Sequence, residues 1–308
     1  MASTCIDIPT SYETLKLTHL KISHHPSGAP KATPVVTFIL DRAEKHNAFT
    51  PEMAESLTQA YRIVHLDPRV KAVVLTGAGR MFCAGSDLDV GFGSGEGRAV
   101  DFRDIGGRVA LAMHRCHKPT IVALNGSAVG VGMTMTLPAA VRICHEKSKY
   151  GFVFTRRGLT IESCASYFLP RLVGFSRAMY LITTGGVYPP TSEHFGDLFT
   201  EVLPDAGKVL PRGLELAQEI AENVSPLASS MSRALMWEGP GTPEAAHLLE
   251  SRVFHHMIGQ RDYKEGVRSF LEKRRPRFES ELLGAPYYPW WSEVDITREV
   301  TVPKGPKL

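Results

Sequence analysis

FCAGSDL at residues 82–88 and LNGSAVGVGM at residues 124–133 decide how this chain is read. AVVLTG (72–77) lies before the first, and TIVAL (120–124) runs into the second; both are apolar runs of the kind a buried strand requires. Each segment therefore reads as a place where a strand hands over to a helix through small residues. Small residues let a ligand approach the main chain, and the free N–H groups of a helix start favour negative charge. Two such places converging on one point would form an oxyanion hole, suited to an acyl group whose carbonyl oxygen becomes an anion.

Outward from this pair, strands and helices alternate. Residues 12–23 alternate like a half-buried strand, residues 24–34 are turn chemistry and VVTFIL (35–40) is a second strand, so a hairpin is expected. Thr50-Pro51-Glu52 reads as an N-cap followed by proline in the first turn of a helix that stops at Asp67-Pro68. Further strands over 71–77, 119–126 and 140–145, separated by helical patterns, imply crossover units with parallel strands. GFGSGEG (91–97) is a loop that lacks the GK[ST] continuation of a phosphate cradle. From about residue 205 onward the pattern is mainly helical. The basic run Arg268, Lys273, Arg274, Arg275 and Arg277 fits a solvated helix end, with phosphate contact as the sharper alternative.

Composition narrows the function classes. Of 308 residues, 43% are hydrophobic and 22% charged, which allows a sizeable core. A net charge of +3 is too small to point to nucleic acid. Apolar stretches stay well short of the ~18 residues of a membrane span, and the N-terminus has no signal-peptide core. Five cysteines without a CxxC pair suggest neither a metal site nor a disulfide framework, and fit a reducing compartment. Pro306-Lys307-Leu308 is similar to the S-K-L address, so import by a peroxisomal receptor is expected, with the cytoplasm as the alternative.

These segments, in this order, resemble the crotonase superfamily, also called the enoyl-CoA hydratase/isomerase family. DRAEKHNAFT (41–50) resembles its DRPEKxNAxT signature, FCAGSDL its AGxDL segment and LNGSAVGVGM its NGxAxGGG segment. GLTIESCASYFLPRLVG (158–174) is similar to the GLxPExxSSxxLPRLVG stretch of a Δ3,Δ2-enoyl-CoA isomerase-like branch. The resemblance implies an α/β fold: a crotonase (ClpP/crotonase-like) spiral of β-β-α units over residues 11–205. A tail would precede it at 1–10, a helical trimerisation region would follow at 206–278, and a second tail would occupy 279–308. It also implies an acyl-CoA substrate, trimers or hexamers, and no cofactor or metal, coenzyme A being part of the substrate. Carried over by position, the oxyanion donors are the N–H groups of Ser86 and Val131. The coenzyme A stretch includes Ala43, Lys45, Ala84, Gly85, Asp87 and Leu88. Val131 stands where the family has glycine, so its branched side chain is expected to reshape the pocket.

The resemblance also sorts the proton-transfer candidates. The positions of the two hydratase carboxylates are Thr134 and Phe154 here, which argues against that mechanism. Glu162 aligns with the base of the isomerase branch, and an apolar surround (Phe154, Leu159, Ile161, Phe168) would raise its pKa. The competing reading of Glu162 is a helix N-terminal carboxylate on the dipole. Asp87 could orient the first segment or cap a turn; Cys83 is a nucleophile on paper without an assignable histidine. His46, His114 and His117 fit structural or surface roles, and the spacing assigns nothing to Tyr150 or Tyr167. The expected activity is Δ3 to Δ2 isomerisation, with hydration or dehydration by Glu162 alone as the alternative. A silent scaffold or RNA-binding relative is the third reading.

Overall fold

The computed structural model describes residues 6–91 and 101–280. Most of the glycine-rich loop at 91–97, and the Pro306-Lys307-Leu308 address, lie outside the described residues.

Strand β1 (Leu20–His25) pairs antiparallel with β2 (Val35–Leu40), the expected hairpin, although the chain before it is a 3-10 turn at Tyr12–Thr14 rather than strand. The strands β3 (Ala72–Gly77), β4 (Thr120–Leu124), β6 (Val141–His145) and β9 (Glu201–Leu203) extend the sheet in parallel. The order is β1-β2-β3-β4-β6-β9. A second, three-stranded sheet is made of β5 (Ala128–Val129), β7 (Tyr150–Gly151) and β8 (Val187–Tyr188). The chain thus alternates between sheets as it winds, in a mixed α/β spiral.

The central strands are apolar throughout because both faces are covered. On one face Val36, Phe38, Val73, Leu75, Val122 and Leu124 join the main core with α1 (Pro51–Leu66) and α2 (Ile105–Arg115). On the other, Val35, Val74, Ile121, Ala123 and Ile143 pack on Val209, Ala217 and Ala221 of α6 (Val209–Asn223). The first helix of the C-terminal region is therefore a layer of the α/β core. α1 starts as its sequence suggests: the Thr50 side chain accepts the Met53 N–H at 3.2 Å, with Pro51 at the first helical position.

The remaining helices α7 (Pro226–Glu238), α8 (Pro243–Ile258) and α9 (Arg261–Leu271) gather around a small core of Leu227, Met231 and Val253. A cavity of about 880 Å³ opens between them. The basic run at the end of α9 is ion-paired: Arg268 and Arg274 share Glu272, Arg274 also meets Glu265, and Arg275 meets Glu222. It is not a bare cationic face.

One buried side chain ties the start of the spiral to the first loop. Asn47, in left-handed backbone at φ 53°, donates from its amide to the Ala78 and Met81 carbonyls, both at 2.8 Å, and accepts the Arg42 N–H at 3.0 Å. Asn47→Ala leaves three backbone groups unpaired in a conformation alanine disfavours. A stability loss of about 2 to 4 kcal/mol is expected from urea unfolding; a loss below about 0.5 kcal/mol would show that water replaces the staple.

Candidate active site

The first segment is stitched to residues 46–49 by backbone bonds. Ala84 N–H donates to the His46 carbonyl, Phe49 N–H to the Gly85 carbonyl, and Asp87 N–H to the Phe49 carbonyl, at 3.1, 2.8 and 2.9 Å. In this parallel bridge Gly85 and Asp87 spend their groups on Phe49, so the intervening Ser86 N–H points the other way. Asp87 accepts from Arg42 at 2.6 Å and from the Asp89 N–H at 2.9 Å. The guanidinium first, then that N–H, hold its carboxyl below the usual range. Of the two readings of Asp87 both apply: it closes a turn and anchors the segment. The segment is a loop held by isolated bridges; no helix start is described there.

The second segment lies alongside. Val129 N–H donates to the Cys83 carbonyl, and Phe82 N–H to the Ser127 carbonyl. At Gly132 a β-carbon would stand 2.6 Å from the Cys83 carbonyl oxygen and 2.8 Å from the Cys83 β-carbon. Only glycine permits this approach. Here the expected helix start is present: Val131 is the first residue of the short helix α3 (Val131–Thr134), and Met133 and Thr134 N–H groups close back on the Gly130 carbonyl. The first turn of a helix has no internal acceptor for its N–H groups, and among the described residues none meets that of Val131.

Glu162 faces this point from the other side. Its carboxylate accepts the Thr134 hydroxyl at 2.8 Å and the Ser163 hydroxyl at 2.6 Å. α4 (Ala165–Val173) begins three residues later, after Ser163 and Cys164 turn the chain through left-handed backbone at φ 58° and 56°. Backbone of this kind in non-glycine residues persists only where the surroundings hold it. Ser163 is held by its N–H bond to the Asp104 carboxylate at 3.1 Å. Glu162 therefore does not serve as the N-cap of α4. Burial raises its pKa most, a bond to Asp104 raises it further, and the two hydroxyls lower it, leaving it at about 7.

At Gly106 in the first turn of α2, a β-carbon would lie 2.1 Å from Glu162 Oε2, 2.2 Å from Ser163 Oγ and 3.0 Å from Val131 Cγ2. Thus Val131 and Glu162 meet over the bare start of α2. The expected apolar surround is present in Phe154 and Phe168, both buried, with Leu159 and Ile161 partly buried beside them. Thr134, at a position where a hydratase carries a carboxylate, instead donates to Glu162.

The other candidates separate clearly. Ala43 and Lys45 are exposed on a 3-10 turn, where Lys45 reaches Asp89 at 3.3 Å, and Leu88 is also exposed. Ala84 is half-buried within the stitched loop. Burial pushes the Cys83 thiol up to about 12, which leaves no thiolate for a nucleophile near neutrality. His117 is half-buried against His65 with ring centroids 4.1 Å apart and is lowered to about 3, first by desolvation. His114 pairs with Glu238, and His46 with Arg80. Tyr167 donates to the Trp237 carbonyl, and Tyr150 is buried in the core. Among the described residues no group of three or more His, Cys, Asp or Glu is placed to hold a metal ion.

Comparison with known proteins identifies the family. The family described as enoyl-CoA hydratase/isomerase matches residues 31–281. Enoyl-CoA hydratases AFT3-1 and ACTT3 of Alternaria alternata are each 44% identical over 253 residues, covering 82% of this chain and 86% of theirs. A 1,2-epoxyphenylacetyl-CoA isomerase of Escherichia coli is 30% identical, over 79% of this chain and 94% of its own. Among solved structures, a putative enoyl-CoA hydratase from Streptomyces coelicolor superposes with a TM-score of 0.77 at 30% identity, covering 90% of this chain and 99% of that one.

Glu162 holds its proton to higher pH when folded than when unfolded. Between about 4.5 and about 7 the folded state therefore binds the extra proton, and stability falls as pH rises through that window. Glu162→Gln removes this fall. Thermal midpoints from about pH 5 to about pH 8 should show the variant gaining on the wild type as pH rises; parallel curves would mean that Glu162 titrates at the ordinary carboxylate pH.

Proposed function

Because the chain belongs to the enoyl-CoA hydratase/isomerase family, we propose that it moves the double bond of a 3-enoyl-CoA to the 2,3 position. Glu162 takes a proton from C2, and the electron pair of that bond moves into the thioester carbonyl to give a dienolate. The same carboxyl then delivers a proton to C4, the double bond settles between C2 and C3, and the carbonyl re-forms. Charge gathers on the thioester oxygen in between, where the N–H groups of Ser86 and Val131 are the donors this reading requires. Lys45, Ala43, Ala84, Gly85, Asp87 and Leu88 then form the coenzyme A side, with the Lys45 ammonium available to phosphate.

One observation carries the reading: the Glu162 carboxyl, raised to about 7, stands against the start of α3, where the Thr134 hydroxyl occupies a position at which a hydratase has a carboxylate. A group poised there can accept and return a proton near neutral pH. Hydration or dehydration is the second reading. It is favoured by the relatives named enoyl-CoA hydratase at 44% identity and by Asp104, a second carboxyl beside Glu162. Supplying a 2-enoyl-CoA in labelled water separates the two, since only hydration yields a labelled 3-hydroxyacyl product.

The setting we propose is peroxisomal, in fatty-acid β-oxidation or in acyl-CoA tailoring for secondary metabolism. Assembly into trimers or hexamers is supported by the apolar side chains Leu248, Phe254 and Phe270 exposed on α8 and α9.

Two variants test the chemistry with a 3-enoyl-CoA. Glu162→Gln should lower kcat by about 10² to 10⁴; unchanged turnover removes Glu162 as the base. Val131→Pro deletes one N–H at the first helical position, where proline is tolerated. It should lower kcat by about 10² to 10³ with little change in acyl-CoA binding, whereas wild-type kcat would show that this N–H stabilises no charge.

A further inference from the structure

Asp104 is absent from the motifs that identify this family in the sequence, yet it reaches Glu162 through Ser163. It sits at the N-cap of α2, where its carboxylate accepts the Gly107 N–H. The same Oδ1 accepts the Ser163 N–H at 3.1 Å, across 59 residues of sequence. Ser163 in turn donates its hydroxyl to Glu162 Oε2. The absent side chain at Gly106, where a β-carbon would strike both Glu162 and Ser163, is what lets the start of α2 come this close. We infer that Asp104 is a positioning residue whose carboxylate, tied to Glu162 through Ser163, sets the strength of Glu162 as a base. This inference rests on the proposed role of Glu162 in proton transfer.

The cap geometry alone does not require a carboxylate. Serine, threonine or asparagine caps a helix as well as aspartate does. A second carboxylate beside Glu162 has a particular consequence: its negative charge disfavours ionisation of Glu162, which a neutral cap would not do. Asp104 takes two backbone N–H groups, while Glu162 receives hydroxyls that can rotate to accommodate a proton. Asp104 is accordingly the second cause, after burial, of the raised Glu162 pKa. The other groups facing the pair do not take over this role. Thr134 of α3 and Ser163 offer hydroxyls, and Val131 is apolar. The Cys164 thiol is raised by burial and then by both carboxylates, with Arg115 opposing.

The test separates this inference from the base assignment. In wild-type protein labelled with ¹³C at the Glu carboxyl carbons, one signal, identified by its loss in Glu162→Gln, should titrate at about 7. Asp104→Asn keeps an oxygen for both N–H groups and removes the charge. In it, the Glu162 midpoint and the acidic limb of kcat/KM should both move down by about one unit or more. The high-pH kcat should fall several-fold, because a weaker base abstracts the proton more slowly. Should that variant not fold, Asp104→Ser supplies an uncharged cap for the same measurements. An unmoved midpoint in the folded variant overturns the inference while leaving Glu162 as the base. Full turnover in Glu162→Gln instead overturns the base assignment.

Discussion

The site depends on two places where the chain has no side chain to interpose. At Gly132 the second segment lies so close to Cys83 that a β-carbon would overlap its carbonyl oxygen. At Gly106 the start of α2 lies so close to Glu162 that a β-carbon would overlap its carboxylate. The first contact sets the loop containing Ser86 beside the helix start at Val131. The second presses a carboxylate against the same helix start. Interiors pack densely, so a single methyl group at either position must displace something. At Gly106 the displaced group would be the Glu162 carboxylate.

Around those contacts the sheet supplies rigidity. Five parallel strands, of which β3 and β4 are buried on both faces, present their C-terminal ends to one side, and β3 and β4 lead into the two segments. Asn47 and the Arg42–Asp87 pair fasten the first loop to the chain after β2. The second is fastened by backbone bonds to the small sheet, where Gly130 N–H donates to the Gly151 carbonyl. Two loops anchored to different sheets can hold a fixed separation, which a preorganised pair of donors requires.

The strands were legible because an apolar run buried on both faces has no polar alternation to confuse it, as in AVVLTG and TIVAL. α1 was legible from its threonine cap and proline. The segment 82–88 was read as a helix start and is a loop stitched by bridges to Phe49 and Ala128; small residues announce a close approach without saying which element makes it. The position of α6 as a sheet layer was not legible, since its apolar stripe fits a helical bundle equally well. At the site, Glu162 and its apolar surround came from the motif. Asp104 and Gly106 did not, because their relation to Glu162 spans more than fifty residues and depends on how α2 crosses the second segment. The doubled glycine in IGGRVAL was the available signal: a helix start with no side chains implies a neighbour pressed against it.

The most direct measurement is a crystal structure with an unreactive acyl-CoA analogue bound. The account predicts a thioester oxygen within about 3 Å of both the Ser86 and Val131 nitrogens, and the Glu162 carboxylate over the carbons corresponding to C2 and C4. A thioester oxygen that meets only one of those nitrogens, or an acyl chain that runs away from Glu162, would contradict it.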